Sequence, residues 1–468
     1  MDEFRTKISD WLNENFENMV ADVQAFARIR SVSRADLAEE GAPFGPECRE
    51  MLDFALARAA EMGFAVEDHA GYCGSAILGD AENCIGIVAH LDVVPEGDQW
   101  VYPPYAATRV DDFLIGRGVA DNKSAAVMGL YVMKLFRDLG IECKHGIRTI
   151  MGCAEETGMR DMRYYREHHP MPKLSLIPDS AFPANYAQKG SLSGKMKIEL
   201  GEQVLSFTGG EVPNMVPPHA TALVRGVTAA EAASKFGEGF EVTGEADGVR
   251  ITAQGIAAHA ARPELGKSAI HMLACALSSS GLLAGQSQTA MESICAMTGD
   301  YHGANAGIAN EDPDTGKTTM VCGVAKMTKD GRMSLSLDCR LSLAADGEKD
   351  IAAFSDYAQQ LGFEPCNLAA TPPVYMPKDD PRITSLTELY ATLTGERLAP
   401  YTMGGGTYAR ELENAITFGP AFPNLAARPD LPENHGGAHA PDEFLHIPSF
   451  RRAFEIYACA VKALDEVI

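Results

Sequence analysis

No run of about 18 apolar residues occurs anywhere in the 468 residues, so the sequence offers no candidate membrane span. The 11 cysteines have no CxxC spacing. An odd number scattered through apolar segments argues against a disulfide framework and reads as reduced core thiols of a cytoplasmic protein. Basic residues are outnumbered: 40 Lys and Arg face 64 Asp and Glu, for a formal net charge of −24, and no basic cluster stands out. Nucleic acid is therefore not an expected partner. The first residues lack a signal-peptide core and lead instead into an amphipathic helix with Ile8, Leu12, Phe16 and Met19 on one face. Gly404-Gly405-Gly406 lacks the Gly-Lys-Ser/Thr ending of a phosphate-binding loop, so its glycines are better read as allowing backbone to approach a substrate, with Thr407 and Tyr408 adding polar contacts.

What the chain does contain is a change of texture. Up to about Lys189, helices alternate with short, nearly continuous apolar runs, the mark of a parallel sheet covered on both faces. Residues 191–375 carry amphipathic strands, a hairpin turn at Asp330-Gly331, and helices expected over Pro263–Leu277 and Glu348–Leu361. From about Met376 the first texture returns. The expected fold is α/β: a discontinuous domain of residues 1–190 and 376–468 with a mostly parallel sheet flanked by helices, and an inserted α+β domain, 191–375, made of two ferredoxin-like halves.

Potential metal ligands fall where the apolar runs end. Cys84–His90 delivers His90 and Asp92, Thr149–Cys153 runs into Glu155 and Glu156, and Leu174–Pro178 delivers Asp179. In an open α/β sheet the carboxyl edge of the strands is where loops converge on a ligand. Asp121 arrives from a loop that opens the helix expected over Lys123–Leu139, closed by Gly140. Two divalent ions roughly 3.5–4 Å apart need a shared anionic bridge and about two further ligands each. Asp121 suits the bridge, His90 and Asp179 one ion, and Glu156 and His439 the other. Glu155 is then a spare carboxylate, which is what water activation beside such ions requires. Asp92 is placed to accept the imidazole N–H of His90 and fix its tautomer. His168, His169, His435 and His446 are not needed and read as surface or packing residues.

Ala89–Pro95, Gly116–Ser124, Ala154–Gly158, Pro178–Ser180 and His439–Glu443 resemble, in order and spacing, the metallopeptidase family of glutamate carboxypeptidase, aminoacylase and bacterial dipeptidases. Val212–Pro217, the segment around His259, and Gly404–Tyr408 bring the chain nearest the PepV-type dipeptidases. The resemblance implies Asp121 as bridge, Glu155 as general base, a non-proline cis peptide after the bridge, and an inserted lid. It implies two divalent ions, Zn²⁺ first, with Mn²⁺ or Co²⁺ as alternatives. It also implies a monomer, because a long two-part lid can stand in for a partner subunit. Aspartate rather than glutamate at the third ligand, Asp179, favours dipeptidase over carboxypeptidase or deacylase. Asp111-Asp112-Phe113 departs from the Asp-Gly usual there.

Three lid residues are candidates for substrate contact, each with a plainer alternative. His259 lies in a loop of small residues; alone it is an exposed or core-bonded histidine, but the resemblance makes it a donor to the scissile carbonyl. Arg340 lies on the polar face of an alternating strand with Asp338, either as a surface pair or as a guanidinium fork for a C-terminal carboxylate. Asn214 is a turn residue or a substrate contact. Gly405, Gly406 and Thr407 complete the expected substrate-binding set. Clamping both ends of a short peptide would select dipeptides. The rivals are an N-acyl-amino-acid or succinyl-diamine deacylase and a metal-binding protein without turnover.

Overall fold

The computed structural model describes residues 2–423 and 430–468. Two compact units emerge, one of residues 1–186, 376–401 and 407–468, the other of 187–375 with 402–406. The last five residues were expected in the first unit. They belong to the second because Lys189 N–H donates to the Met403 carbonyl (3.0 Å), Thr402 Oγ1 to that of Asp314 (3.2 Å) and Arg340 to that of Gly404 (3.1 Å).

In the first unit the sheet runs in the order Ala65–His69, Cys73–Leu78, Gly146–Gly152, Cys84–His90, Leu174–Ile177, Ala415–Phe418, Ala184–Gln188. The four from Gly146–Gly152 to Ala415–Phe418 are mutually parallel, and their neighbours on either side are antiparallel. Every residue of Gly146–Gly152, Cys84–His90 and Leu174–Ile177 is buried, which is why these strands read as unbroken apolar runs. Because they are parallel, their carboxyl ends lie on one edge and carry His90, Glu155, Glu156 and Asp179 there.

Helix Lys123–Asp138 lies on strands Cys84–His90 and Gly146–Gly152 and ends at Gly140, whose φ is 60°. It packs tightly at Gly129, where an added Cβ would stand 2.8 Å from Thr149 Cγ2 and 3.2 Å from Ile87 Cγ2. Helices Asp2–Ala27 and Ile447–Leu464 pack on it, with Trp11 stacked on Phe454 at 5.7 Å. The first of these buries Ile8, Leu12, Phe16 and Met19, as their spacing predicts.

The main sheet of the second unit is antiparallel and nine-stranded, two four-stranded groups with Thr319–Val321 paired beside Met333–Leu341. One is Phe240–Glu245, Gly248–Gln254, His219–Val224 and Val204–Gly209; the other is Ala325–Met327, Met333–Leu341, Gly190–Ile198 and Glu364–Thr371. A single bridge, Gly209 to Ala325, joins them. Helix Ala269–Ser279 covers the first group and Gly347–Gln360 the second. The helix expected from Pro263 begins later: Pro263–Leu265 is one 3₁₀ turn, and Ser268 caps the helix by accepting the His271 N–H (3.2 Å). The cysteines also need correction. Cys275 and Cys295 form a disulfide, while nine others are free. Their pairing comes from two helices packing together, which no sequence spacing announces.

Gly129→Val should cost about 1–3 kcal/mol, because the helix must lift off the sheet to admit the side chain. Denaturant unfolding of the first unit's signal measures this, and an unchanged midpoint would show that the contact has slack.

Candidate dinuclear metal centre

The two oxygens of the Asp121 carboxylate face different histidines. Oδ1 is 3.0 Å from His90 Nε2, and Oδ2 is 3.1 Å from His439 Nε2. Asp179 Oδ1 lies 3.9 Å from His90 Nε2, and Glu156 Oε1 lies 2.9 Å from His439 Nε2. The ligand atoms of His90, Asp121 and Glu156 fall within 4.8 Å of one another, as do those of His90, Glu155 and Asp179. His90, with Asp179 beside it, thus faces one oxygen of Asp121 and His439, with Glu156 beside it, the other, while Glu156 is also within 4.8 Å of His90. The peptide between Asp121 and Asn122 is cis.

The loops are held by carboxylates that take no part in the cluster. Asp92 accepts the main-chain N–H of Glu155 and of Glu156, each at 3.1 Å. Asp161 accepts those of Cys153 (2.6 Å) and Ala154 (2.8 Å) and the hydroxyl of Tyr408. Four successive amides therefore end on two fully buried carboxylates, and losing either would leave buried donors unpaired at about 1–3 kcal/mol each. Glu443 performs the same service for the Asp121 loop, accepting from Ala120 N (2.9 Å) and Asp121 N (3.0 Å). Its other oxygen takes a hydrogen bond from Arg117 (2.8 Å), and Arg117 also donates to the carbonyl of His439 (3.3 Å). One buried ion pair thus ties the Asp121 loop to the main chain of His439. Asn122 donates to the Pro178 carbonyl (2.7 Å) and to Asp179 (3.2 Å).

Asp92 departs from its expected part. The His90 Nδ1–H donates to the Asp92 main-chain carbonyl (2.8 Å), while the carboxylate is 3.5 Å away and engaged with the 155–156 amides. Nε2 in turn donates to Asp121 Oδ1 (3.0 Å), so the ring carries both protons: burial opposes that charge, but hydrogen bonds to Asp121 and Asp92 hold the His90 pKa well above its ordinary value. His435 is bound to Asp442 (2.6 Å), which also accepts from Val101 and Tyr102, so it is a packing residue. Sequence reasoning missed Arg117, Asp161 and the work of Glu443. Arg117 and Glu443 lie inside the quoted motifs, but nothing in the pattern shows that they pair.

The second unit gathers its own candidates. Strands Met215–Val216 and Ala258–His259 pair, Met215 opposite His259, and Ala260 N–H donates to the Asn214 carbonyl (2.9 Å). His259 Nδ1 accepts the Ala261 N–H (3.1 Å), which leaves the proton on Nε2 as a donor. Burial, and then the charge of Arg340, hold its pKa below the ordinary value, so the ring is neutral. Gly404 packs so closely that a Cβ there would meet the Ala261 Cβ at 2.7 Å. Arg340 does pair with Asp338, at 2.6 and 3.0 Å, but the pair is nearly buried rather than superficial. Thr407, expected to touch substrate, is instead buried, facing Thr417 Oγ1 (2.8 Å) and capping the turn Tyr408–Arg410 through the Ala409 N–H. A tight interior turn uses its hydroxyl, as the Asp161 bond uses that of Tyr408.

Electrostatics give the site its character. Burial, then the charge of Asp179, raises the Glu155 pKa well above the ordinary value; burial, then Asp121, does the same to Asp179. Burial opposes ionisation of Asp121, but hydrogen bonds from His439 and His90 overcome it and hold its pKa low. Hydrogen bonds to Asp121 and Glu156 raise His439 to about 10. Asp121 has one imidazole and two carboxylates, Glu155 and Asp179, on one side and one imidazole and one carboxylate, Glu156, on the other, a donor set that fits two divalent cations. Beside Asp121 and Asp179 opens a cavity of about 360 Å³ walled by Phe422, Phe444, Phe450 and Ala453.

Comparison with known proteins gives a consistent result. Residues 86–463 match Peptidase family M20/M25/M40. "Putative dipeptidase YtjP" of Bacillus subtilis (strain 168) is 29% identical over 462 residues, covering 96% of this chain and 97% of that protein. A similarly named protein of Staphylococcus aureus (strain USA300) is 29% identical over 468 residues, with the same coverage. Among solved structures, the dipeptidase Dug1p of Saccharomyces cerevisiae aligns with a TM-score of 0.60 at 12% identity, over 100% of this chain and 99% of its own. Human carnosine dipeptidase 1 aligns at 0.59 and 13%, over 99% and 100%. At such identities these two structures speak for the fold. Among the described residues no helix is long and apolar enough to cross a membrane.

A pH dependence follows from the raised carboxyls. Glu155 and Asp179 hold their protons more tightly folded than unfolded, so their contribution to stability is present below their ordinary values of 4.5 and 3.8 and is lost as pH rises through the raised ones. His439, raised from 6.5 to about 10 by hydrogen bonds to Asp121 and Glu156, acts in the same direction, its contribution being lost as pH rises from 6.5 toward 10; metal-free protein should therefore melt at a lower temperature at about pH 9 than at about pH 6, and divalent ions should remove most of that slope. Calorimetry with and without chelator reads it. A slope indifferent to the ions would place the titrating groups elsewhere.

Proposed function

The chain belongs to peptidase family M20/M25/M40, and on that premise we propose that it hydrolyses dipeptides or very short peptides with a free N-terminus, with Glu155 as general base. The observation that carries the reading is the position of Glu155. Its carboxyl is within 4.8 Å of ligand atoms of His90 and Asp179, yet it accepts no hydrogen bond among the described residues. It is a base with no structural task. The dipeptidase names of the two bacterial relatives support the substrate class.

In this reading two divalent ions would be held by His90 with Asp179 and by Glu156 with His439, Asp121 being shared between the two sites. Zn²⁺ suits imidazole and carboxylate donors, and Mn²⁺ and Co²⁺ accept the same set. When bound, such ions polarise a carbonyl and lower the pKa of water. Glu155 takes a proton from the attacking water and returns it to the leaving amine nitrogen. His259 offers its Nε2–H to the developing oxyanion, a contribution typically worth about 2.7–4 kcal/mol. Asn214 and the N–H groups of Arg340 not already used hold the carboxylate end, with the Gly405-Gly406 backbone beside them. Asp179 or a neighbouring carboxylate receives the α-amino group. The apolar cavity beside Asp121 receives an uncharged side chain of the substrate.

A panel of free dipeptides, set beside N-acetyl and N-succinyl amino acids on protein reloaded with Zn²⁺ or Mn²⁺, decides the class. Free dipeptides, apolar ones first, should be cleaved and their N-acetylated forms left intact. Faster cleavage of the acylated compounds would make the protein a deacylase.

Glu155→Gln should keep both ions while kcat falls by about 10²–10⁴. Glu156→Ala should instead lose metal. Metal analysis beside kinetics separates the two, and an ion missing from Glu155→Gln would move the base role to another carboxylate.

We further propose that the protein acts as a monomer in the cytoplasm. Mixing inactive Glu155→Ala with inactive His259→Ala protein should then restore no activity, since each chain would supply its own histidine. Recovery on mixing would mean that subunits share sites.

A further inference from the structure

Besides the acidic cluster, the described residues bring together one other set of metal-type donors, in the second unit. His271 and Cys275 stand four residues apart on helix Ala269–Ser279 and so share a face. Cys295, on the packed helix Gly285–Thr298, meets them there, with its Cα 5.0 Å from that of Cys275 and the two sulfurs joined. The Cys275 sulfur lies 3.4 Å from His271 Nδ1 and 3.6 Å from Nε2, and ligand atoms of all three residues fall within 4.8 Å of one another. The Thr298 hydroxyl gives its proton to the Ile294 carbonyl (2.7 Å), so it accepts from His271 Nδ1 (3.1 Å) and leaves the Nε2 lone pair free to bind. All three residues are half-buried, within reach of an ion or a small oxidant.

We propose that Cys275, Cys295 and His271, with the cysteines reduced, form a binding site for a thiophilic divalent ion such as Zn²⁺, and that the disulfide is the ion-free form of the same site. Two thiolates and an imidazole select zinc over magnesium, calcium or manganese, and three protein ligands leave a fourth position for water. A peroxide converts the reduced form into the disulfide, and a small dithiol returns it by thiol–disulfide exchange, itself leaving as a disulfide. The two thiolates give up two electrons as the S–S bond forms, the O–O bond breaks, two protons are taken up, and two waters leave from hydrogen peroxide. The ion then departs, having lost two of its three protein ligands. Either form pins helix Ala269–Ser279 to its neighbour, just after the segment that carries His259.

Co²⁺ serves as the probe, because thiolate ligation produces a charge-transfer band in the near ultraviolet that carboxylate and imidazole ligands do not. The signal is therefore independent of the acidic cluster and of any peptidase activity. Reduced full-length protein should show the band and bind one more equivalent of Co²⁺ than protein treated with hydrogen peroxide. Cys295→Ser should lack the band while keeping dipeptide hydrolysis. His271→Ala, which keeps both thiols, should weaken binding at this site at least about tenfold. Absence of the band in reduced protein, its persistence in Cys295→Ser, or equal ion counts before and after peroxide would overturn the proposal.

Discussion

The first unit is organised around a repulsion. Asp121, Glu155, Glu156 and Asp179 share one small space with two imidazoles, and Asp92 lies directly behind. Two like charges about 4 Å apart, at the effective dielectric of a partly buried site near 20, repel by about 4 kcal/mol. Several such pairs cannot be sustained by the neutral main-chain donors around them. Protonation or cations must relieve the strain, and the raised pKa values of Glu155 and Asp179 express the same repulsion.

Much of the surrounding architecture makes sense as the means of holding that cluster. Parallel strands bring three loops to one edge. Asp92 and Asp161 gather four consecutive amides so that Glu155 and Glu156 project from a rigid turn. Arg117 and Glu443 neutralise each other while fixing the main chain of both Asp121 and His439. Breaking such a buried pair by removing one partner typically costs 3–5 kcal/mol, because the other charge is left alone. The supports are thus as constrained as the ligands they support.

The sequence made the cluster legible because its members sit at the ends of fully buried strands, where an apolar run followed by His or Asp is conspicuous. The reach of helix Lys123–Asp138 was legible from Gly140. Less visible were effects that depend on a partner far along the chain. Thr407 and Tyr408 looked like substrate contacts because they follow three glycines, yet their hydroxyls are bound to Thr417 and Asp161. Arg340 pairs with Asp338 as alternation suggests, but the depth of that pair depends on the neighbouring strands. The Cys275–Cys295 bond and the phenylalanine-walled cavity likewise depend on tertiary packing.

The central claim is that this acidic cluster is a two-cation site built about Asp121. Anomalous diffraction at the zinc edge, from crystals of zinc-loaded full-length protein, tests it directly. The account predicts two peaks within the cluster, one beside His90 and Asp179 and one beside Glu156 and His439, with Asp121 between them and Glu155 bound to neither. A single peak there, or a peak that takes Glu155 as a ligand, would contradict it.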